Sequence, residues 1–165
     1  MARTVATAEV PPAKVWAVLA DPHSYPKWVV GADTIRTVEG NWPEPGSKIH
    51  HRVGWGPFKL NDNTEVLQSE PPNRLVLQAR TRPLGTARVT MELAPQDGGT
   101  RITMIEDPGD QYTRLLFNIV LDRLLAKRNV EALRRLVSLA SGSPPAEEPV
   151  IESPRVSQGS AGSRA

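Results

Sequence analysis

Hydrophobic positions along the chain change period several times, and the changes divide it into elements. Thr4–Val10 reads as a first strand, which Pro11 and Pro12 end. Proline suits the first turn of a helix, and Val15, Trp16, Val18 and Leu19 follow at helical spacing. Asp21-Pro22 repeats the start of cap and proline, so a second short helix is predicted over Pro22–Trp28. Strand-like runs then cover Asp33–Glu39, Ser47–Val53, Phe58–Gln68, Arg74–Thr81, Thr86–Leu93 and Thr100–Asp107. The turns between them, at Gly40–Gly46, Gly54–Pro57, Pro71–Asn73, Pro83–Gly85 and Asp97–Gly99, are too short for parallel crossovers and predict antiparallel neighbours. After Pro108-Gly109 comes one long helical pattern, Arg114–Ala140. Its apolar positions include Phe117, Val120, Leu121, Leu124, Val130, Leu133, Leu136, Val137 and Ala140.

The predicted class is α+β. A seven-stranded curved antiparallel sheet wraps around a long C-terminal helix, with two short helices between strands 1 and 2. Such a sheet has more inner face than one helix covers, and the gap is where a ligand would go. Composition changes at Ser141, where SGSPPAEEPVIESPRVSQGSAGSRA begins. Too little of that stretch is apolar to offset its ordering entropy, so residues 2–140 read as the folded domain and 141–165 as a disordered tail.

The length of 165 residues fits one domain able to bury a core without disulfides or metals. Cysteine is absent, which removes thiol chemistry and cysteine-ligated zinc. Arg3 and Glu9 interrupt the first ten residues, where a signal peptide would need an apolar core. The apolar cluster at Leu115–Leu125 is broken by Asn118 and Asp122, so no stable membrane insertion is expected. A soluble cytoplasmic protein is the expectation. The net charge is only +2. Arg114, Arg123, Lys127, Arg128, Arg134 and Arg135 spread around the last helix, so nucleic-acid binding is not expected. No cofactor is expected either, and there is no Gly-rich phosphate loop; the absence of a Gly-x-Ser-x-Gly elbow speaks against a serine nucleophile of that type. His23, His50 and His51 lack metal spacing, so no metal site is expected. Oligomeric state leaves no mark in these patterns.

Four stretches carry a family resemblance: VPPAKVWAVLADPHSYPKWV, TEVLQSEPPNRLVLQAR, ARVTMEL followed by GGTRITMIED, and RNVEALRRL. Over roughly residues 3–140 the chain resembles the START-like superfamily (SRPBCC), which includes the birch-pollen-allergen proteins and the polyketide cyclase/dehydrase group. The resemblance implies the helix-grip fold. It also implies a hydrophobic small molecule as partner, since such proteins bind lipids, polyketides, hormones or quinones, and some cyclise or dehydrate substrates. The landmarks are structural, and fold analogy alone does not choose among these functions.

Strand alternation identifies the inner face. It holds Ile49, His51 and Val53; Leu60, Asp62, Thr64 and Val66; Leu75, Leu77 and Ala79; Ala87, Val89, Met91 and Leu93; and Ile102, Met104 and Glu106. A bulge at Asn61-Asp62-Asn63 would break the rule. The predicted ligand-binding set is Val53, Trp55, Leu60, Asp62, Thr64, Leu77, Val89, Met91, Met104, Phe117 and Leu121, with Trp55 at the mouth. The catalytic candidates are Glu106 and His51. The turn after Val53 brings His51 opposite Asp62, which could hold the imidazole in one tautomer. Glu106 beside Met104 and Val89 would sit in low dielectric, where a carboxyl can act as an acid or as a neutral donor to a ligand carbonyl.

Plainer readings stand beside these. Glu106 is near a strand end, where it can reach solvent or pair with Arg80 or Arg82. His50 and His51 are adjacent, so one of them must point inward. Met91 and Met104 can simply fill core. Three functions therefore stay open: a binder of lipid- or polyketide-like molecules, an aldol cyclase or dehydratase moving protons through Glu106 or His51, and an interaction protein with a collapsed cavity.

Overall fold

The computed structural model describes residues 2–55, 58–81, 85–108 and 119–152. Strand β1 (Ala2–Ala8) leads into helix α1 (Pro12–Leu19), a 3-10 turn (Pro22–Ser24) and the short helix α2 (Tyr25–Trp28). Strands β2 (Ala32–Glu39), β3 (Lys48–Trp55), β4 (Phe58–Glu70), β5 (Arg74–Thr81), β6 (Gly85–Gln96) and β7 (Gly99–Pro108) follow, then helix α3 (Ile119–Ser141) and strand β8 (Val150–Glu152).

Local chemistry explains the breaks. Pro11 has an extended φ and ψ, and Pro12 opens α1. Asp21 caps the 3-10 turn by accepting a hydrogen bond from the His23 backbone N–H at 2.9 Å. At the β6–β7 hairpin Asp97 and Gly98 both take positive φ, as a two-residue turn between right-twisted strands requires. Gly99 follows because no side chain fits there: a Cβ would stand 2.2 Å from the Ala8 carbonyl oxygen.

All strands belong to one antiparallel sheet in the order β2-β3-β4-β5-β6-β7-β1-β8. Consecutive strands from β2 to β7 pair as short connections demand, and β1 returns to pair with β7 from Ala2 opposite Glu106 to Ala8 opposite Thr100. Described residues of α3 lie against β1, α1 and α2. The helix buries Asn129, Ala132, Leu133, Leu136 and Val137, one stripe at helical spacing. Ile49, Leu75, Leu77, Met91 and Ile102 form the facing apolar layer. Among the described residues no helix is long and apolar enough to cross a membrane.

Two expectations need correction. Among the described residues the sheet has eight strands rather than seven, because Val150–Glu152, within the segment read as a tail, pairs with β1. Residues 153–165 lie outside the described residues. The bulge admitted at Asn61–Asn63 is absent: β3 and β4 pair without a shift from Lys48 opposite Glu65 to Trp55 opposite Phe58. The irregularities fall instead between Val66 and Gln68 and within β2.

Candidate functional site

The unbroken β3–β4 register puts His51 opposite Asp62, and both are buried together with Thr64 and Glu106. Four polar side chains therefore lie on the sheet face that carries the core, as alternation required.

Helix α2 completes a chain of polar contacts over them. The Tyr25 hydroxyl is 2.7 Å from Thr64 Oγ1, and the same oxygen is 3.1 Å from His51 Nε2. The Tyr25 and His51 rings lie with centroids 5.2 Å apart. Trp28 and Trp42 meet Tyr25 edge-on at 5.6 and 6.4 Å. Trp42 is fixed in turn by donating its indole N–H to the Leu19 carbonyl at 3.0 Å.

Burial dominates the electrostatics. It pushes the Tyr25 hydroxyl up to about 12, because phenolate charge is disfavoured away from water; the Thr64 contact and Arg128 oppose this, while Asp62 and Glu106 reinforce it. Burial also holds His51 below the usual imidazole range, against the Asp62 charge and the Arg52 backbone, which favour protonation. The imidazole is thereby kept neutral near pH 7.

Glu106 belongs to a second cluster. Its Oε1 accepts from Arg128 Nη2 at 2.7 Å and its Oε2 from Asn129 Nδ2 at 2.8 Å, tying β7 to α3. Two expectations for Glu106 change here. Its arginine partner is Arg128, not Arg80, and Arg82 lies outside the described residues. Both carboxylate oxygens accept hydrogen bonds, so Glu106 does not stand ready as a neutral donor to a ligand carbonyl.

Other candidates divide by depth. Leu77, Met91 and Met104 are buried, with Met91 opposite Met104 and Val89 opposite both Leu77 and Glu106. Val53 and Val89 are half-buried. Leu60, paired with Val53 on the same face, is 48% exposed. Trp55 ends β3, but its side chain, that of Leu121 and the whole of Phe117 lie outside what is described. Among the described residues no three of His, Asp and Glu converge as a metal site.

Tyr25, Arg128 and Asn129 were not singled out from the sequence. Asn129 had a legible signal: it precedes Leu133 by four residues and so falls within the apolar stripe of α3. Tyr25 had none, because a four-residue helix has too little periodicity to assign a face.

Comparison with solved structures agrees with this architecture. Ara h 8.0201 superposes with a TM-score of 0.68 at 14% identity, covering 86% of this chain and 97% of that one. A protein from Arthrobacter aurescens gives 0.68 at 22% identity and 88% coverage of both chains. DynU16, from the dynemicin biosynthetic locus, gives 0.59 at 20% identity, covering 86% of this chain and 48% of its own. The shared fold is the helix grip. No curated protein matches the chain. A family model described as polyketide cyclase/dehydrase and lipid transport matches residues 1–141, and the chain belongs to that family.

Proposed function

We propose that the protein binds a hydrophobic small molecule, lipid- or polyketide-like, between the concave sheet face and α3. The observation that carries this reading is Leu60. It is a large apolar side chain, 48% exposed, on the face that otherwise forms the core. From Leu60 the apolar wall runs inward through half-buried Val53 to the buried pair His51 and Asp62. An exposed apolar residue continuous with a buried, polar-studded wall is what a ligand entrance requires. Family membership supports the same ligand class. The solved neighbours, at identities near 20%, speak for the fold alone.

A second reading, an aldol cyclase or dehydratase, is favoured by one observation: the buried, neutral His51 hydrogen-bonded through Thr64 to Tyr25. A neutral imidazole can accept a proton, and orientation within the fold would supply much of the rate. Glu106, held by Arg128 and Asn129, suits this role less well.

Native mass spectrometry of the purified chain tests the binding reading by showing whether an apolar molecule travels with it. His51→Gln and Glu106→Gln then separate the two readings. A binder losing one hydrogen bond should lose about tenfold or less in affinity. An enzyme should lose about 10²–10⁴-fold in turnover with affinity kept.

A further inference from the structure

The sheet has two edges, and they are protected in different ways. At β2 the chain alternates charge and polarity, with Asp33, Arg36 and Glu39, and its pairing with β3 shifts register at two places. Charges and bulges of this kind discourage a second sheet from adding on. Strand β1, reading ARTVATA over Ala2–Ala8, has neither device. Its pairing with β7 runs without a shift, and Arg3 is its one charged residue. An unbulged, largely uncharged strand with free backbone groups is a template for pairing. In this chain β8 covers it.

The cover is slight. Among the described residues β8 pairs with β1 at Arg3–Glu152, Thr4–Ile151 and Val5–Val150. Pro149 is buried at its start, yet Val150 and Ile151 are 57% and 53% exposed, so their apolar surface contributes little to attachment. What marks the strand is Glu152. Its carboxylate accepts from Arg3 Nε at 2.7 Å and from Arg101 Nη2, and so bridges β1 and β7 on the outer face. The two guanidiniums hold the Glu152 carboxyl below the usual carboxylate range.

We propose that β8 is a detachable cap over the β1 edge, latched by Glu152 on Arg3 and Arg101, and that its release lets two copies of the chain pair through their β1 strands. The second copy is the occupant that fits. Two antiparallel β1 strands centred on Val5 set Val5 against Val5, Thr4 against Ala6, and Arg3 against Thr7. No like charges face each other, and the two-fold axis makes the contact self-complementary. This inference is independent of what occupies the concave face.

The test uses the full-length chain carrying Glu152→Arg, which replaces the latch by three mutually repelling cations at a half-buried position. Amide hydrogen exchange at Val150–Glu152 is expected to quicken by about tenfold or more, the scale of two lost exposed ion pairs plus repulsion. In sedimentation velocity the variant is expected to gain a species of twice the mass as concentration rises, absent from the unmodified chain. Protection of the Arg3–Val5 amides should return in step. Val5→Lys added to Glu152→Arg sets two lysines opposite each other and should abolish the association. If Glu152→Arg disturbs folding, raised salt on the unmodified chain reads the same release, because exposed ion pairs are screened. Three results overturn the proposal: β8 amides as protected as before, released β8 with unchanged mass at every concentration, or association that Val5→Lys leaves intact.

Discussion

Thr64 Oγ1 lies 2.7 Å from the Tyr25 hydroxyl and 3.1 Å from His51 Nε2, so one hydroxyl on β4 joins helix α2 to strand β3 inside the core. Thr64→Val keeps the shape and removes both contacts. Each buried group left unpaired costs about 1–3 kcal/mol, whereas Thr64→Ser, which keeps the hydroxyl, should cost about 1 kcal/mol for the lost methyl. Urea unfolding of the two variants distinguishes a polar link from simple packing. Equal losses would mean the hydroxyl contributes nothing beyond volume.

Tyr25 sets the alkaline limit. Its folded value near 12 exceeds the unfolded value near 10, so the unfolded chain loses this proton first as pH rises. Stability should therefore fall between about pH 10 and 12, by up to about 2–3 kcal/mol from this residue. Tyr25→Phe should be less stable at pH 7, with a smaller further decline over that range. An unchanged alkaline slope in Tyr25→Phe would remove Tyr25 as its source.

His51 acts at the other end. Its folded value is depressed by burial, so the unfolded chain binds this proton first as pH falls. The contribution of the neutral ring is complete above the unfolded value of about 6.5 and is lost on acidification below it. The Asp62 charge and the Arg52 backbone oppose burial and His50 reinforces it, each by less than burial itself. Relative to the unmodified chain, His51→Gln should show a flatter stability profile on acidification below about pH 6.5.

Glu106 ties β7 to α3, and the exposure of its partner decides what breaking the tie costs. Removing one member of a fully buried ion pair costs about 3–5 kcal/mol. Arg128 can rehydrate, since its side chain keeps 36% of its exposure. Glu106→Gln should therefore cost about 1.5–3 kcal/mol, the range for hydrogen bonds to charged groups. A double-mutant cycle with Arg128→Gln should recover part of that loss as coupling. Strict additivity would show that the ion pair contributes nothing.

Much of this was legible because strands obey a period of two. Long runs with an unshifted register fixed the face of His51, Asp62, Thr64 and Glu106 from sequence alone. What escaped was chemistry set by distant partners. Tyr25 reaches Thr64 from a helix too short to show periodicity. Arg80 and Arg82 are the arginines that sequence proximity offers Glu106, whereas Arg128 and Asn129 approach it from another element. β8 was hidden in a stretch with a disordered composition, and the arginines that pair with Glu152 lie 149 and 51 residues away. Leu60 has the inner-face parity but remains open to solvent, since alternation assigns a face and says nothing of depth.

The most direct test of the binding reading is a methyl NMR titration with two probes, oleate for a lipid-like ligand and 2-naphthol for an aromatic polyketide-like one. Met91 and Met104 are buried on the concave face, and buried Val5 and Val76 belong to the opposite parity of β1 and β5. The expected result is saturable movement of the Met91, Met104 and Leu60 methyls with Val5 and Val76 still. Movement confined to Val5 and Val76, or no saturable movement with either probe, would contradict a ligand site between the sheet and α3.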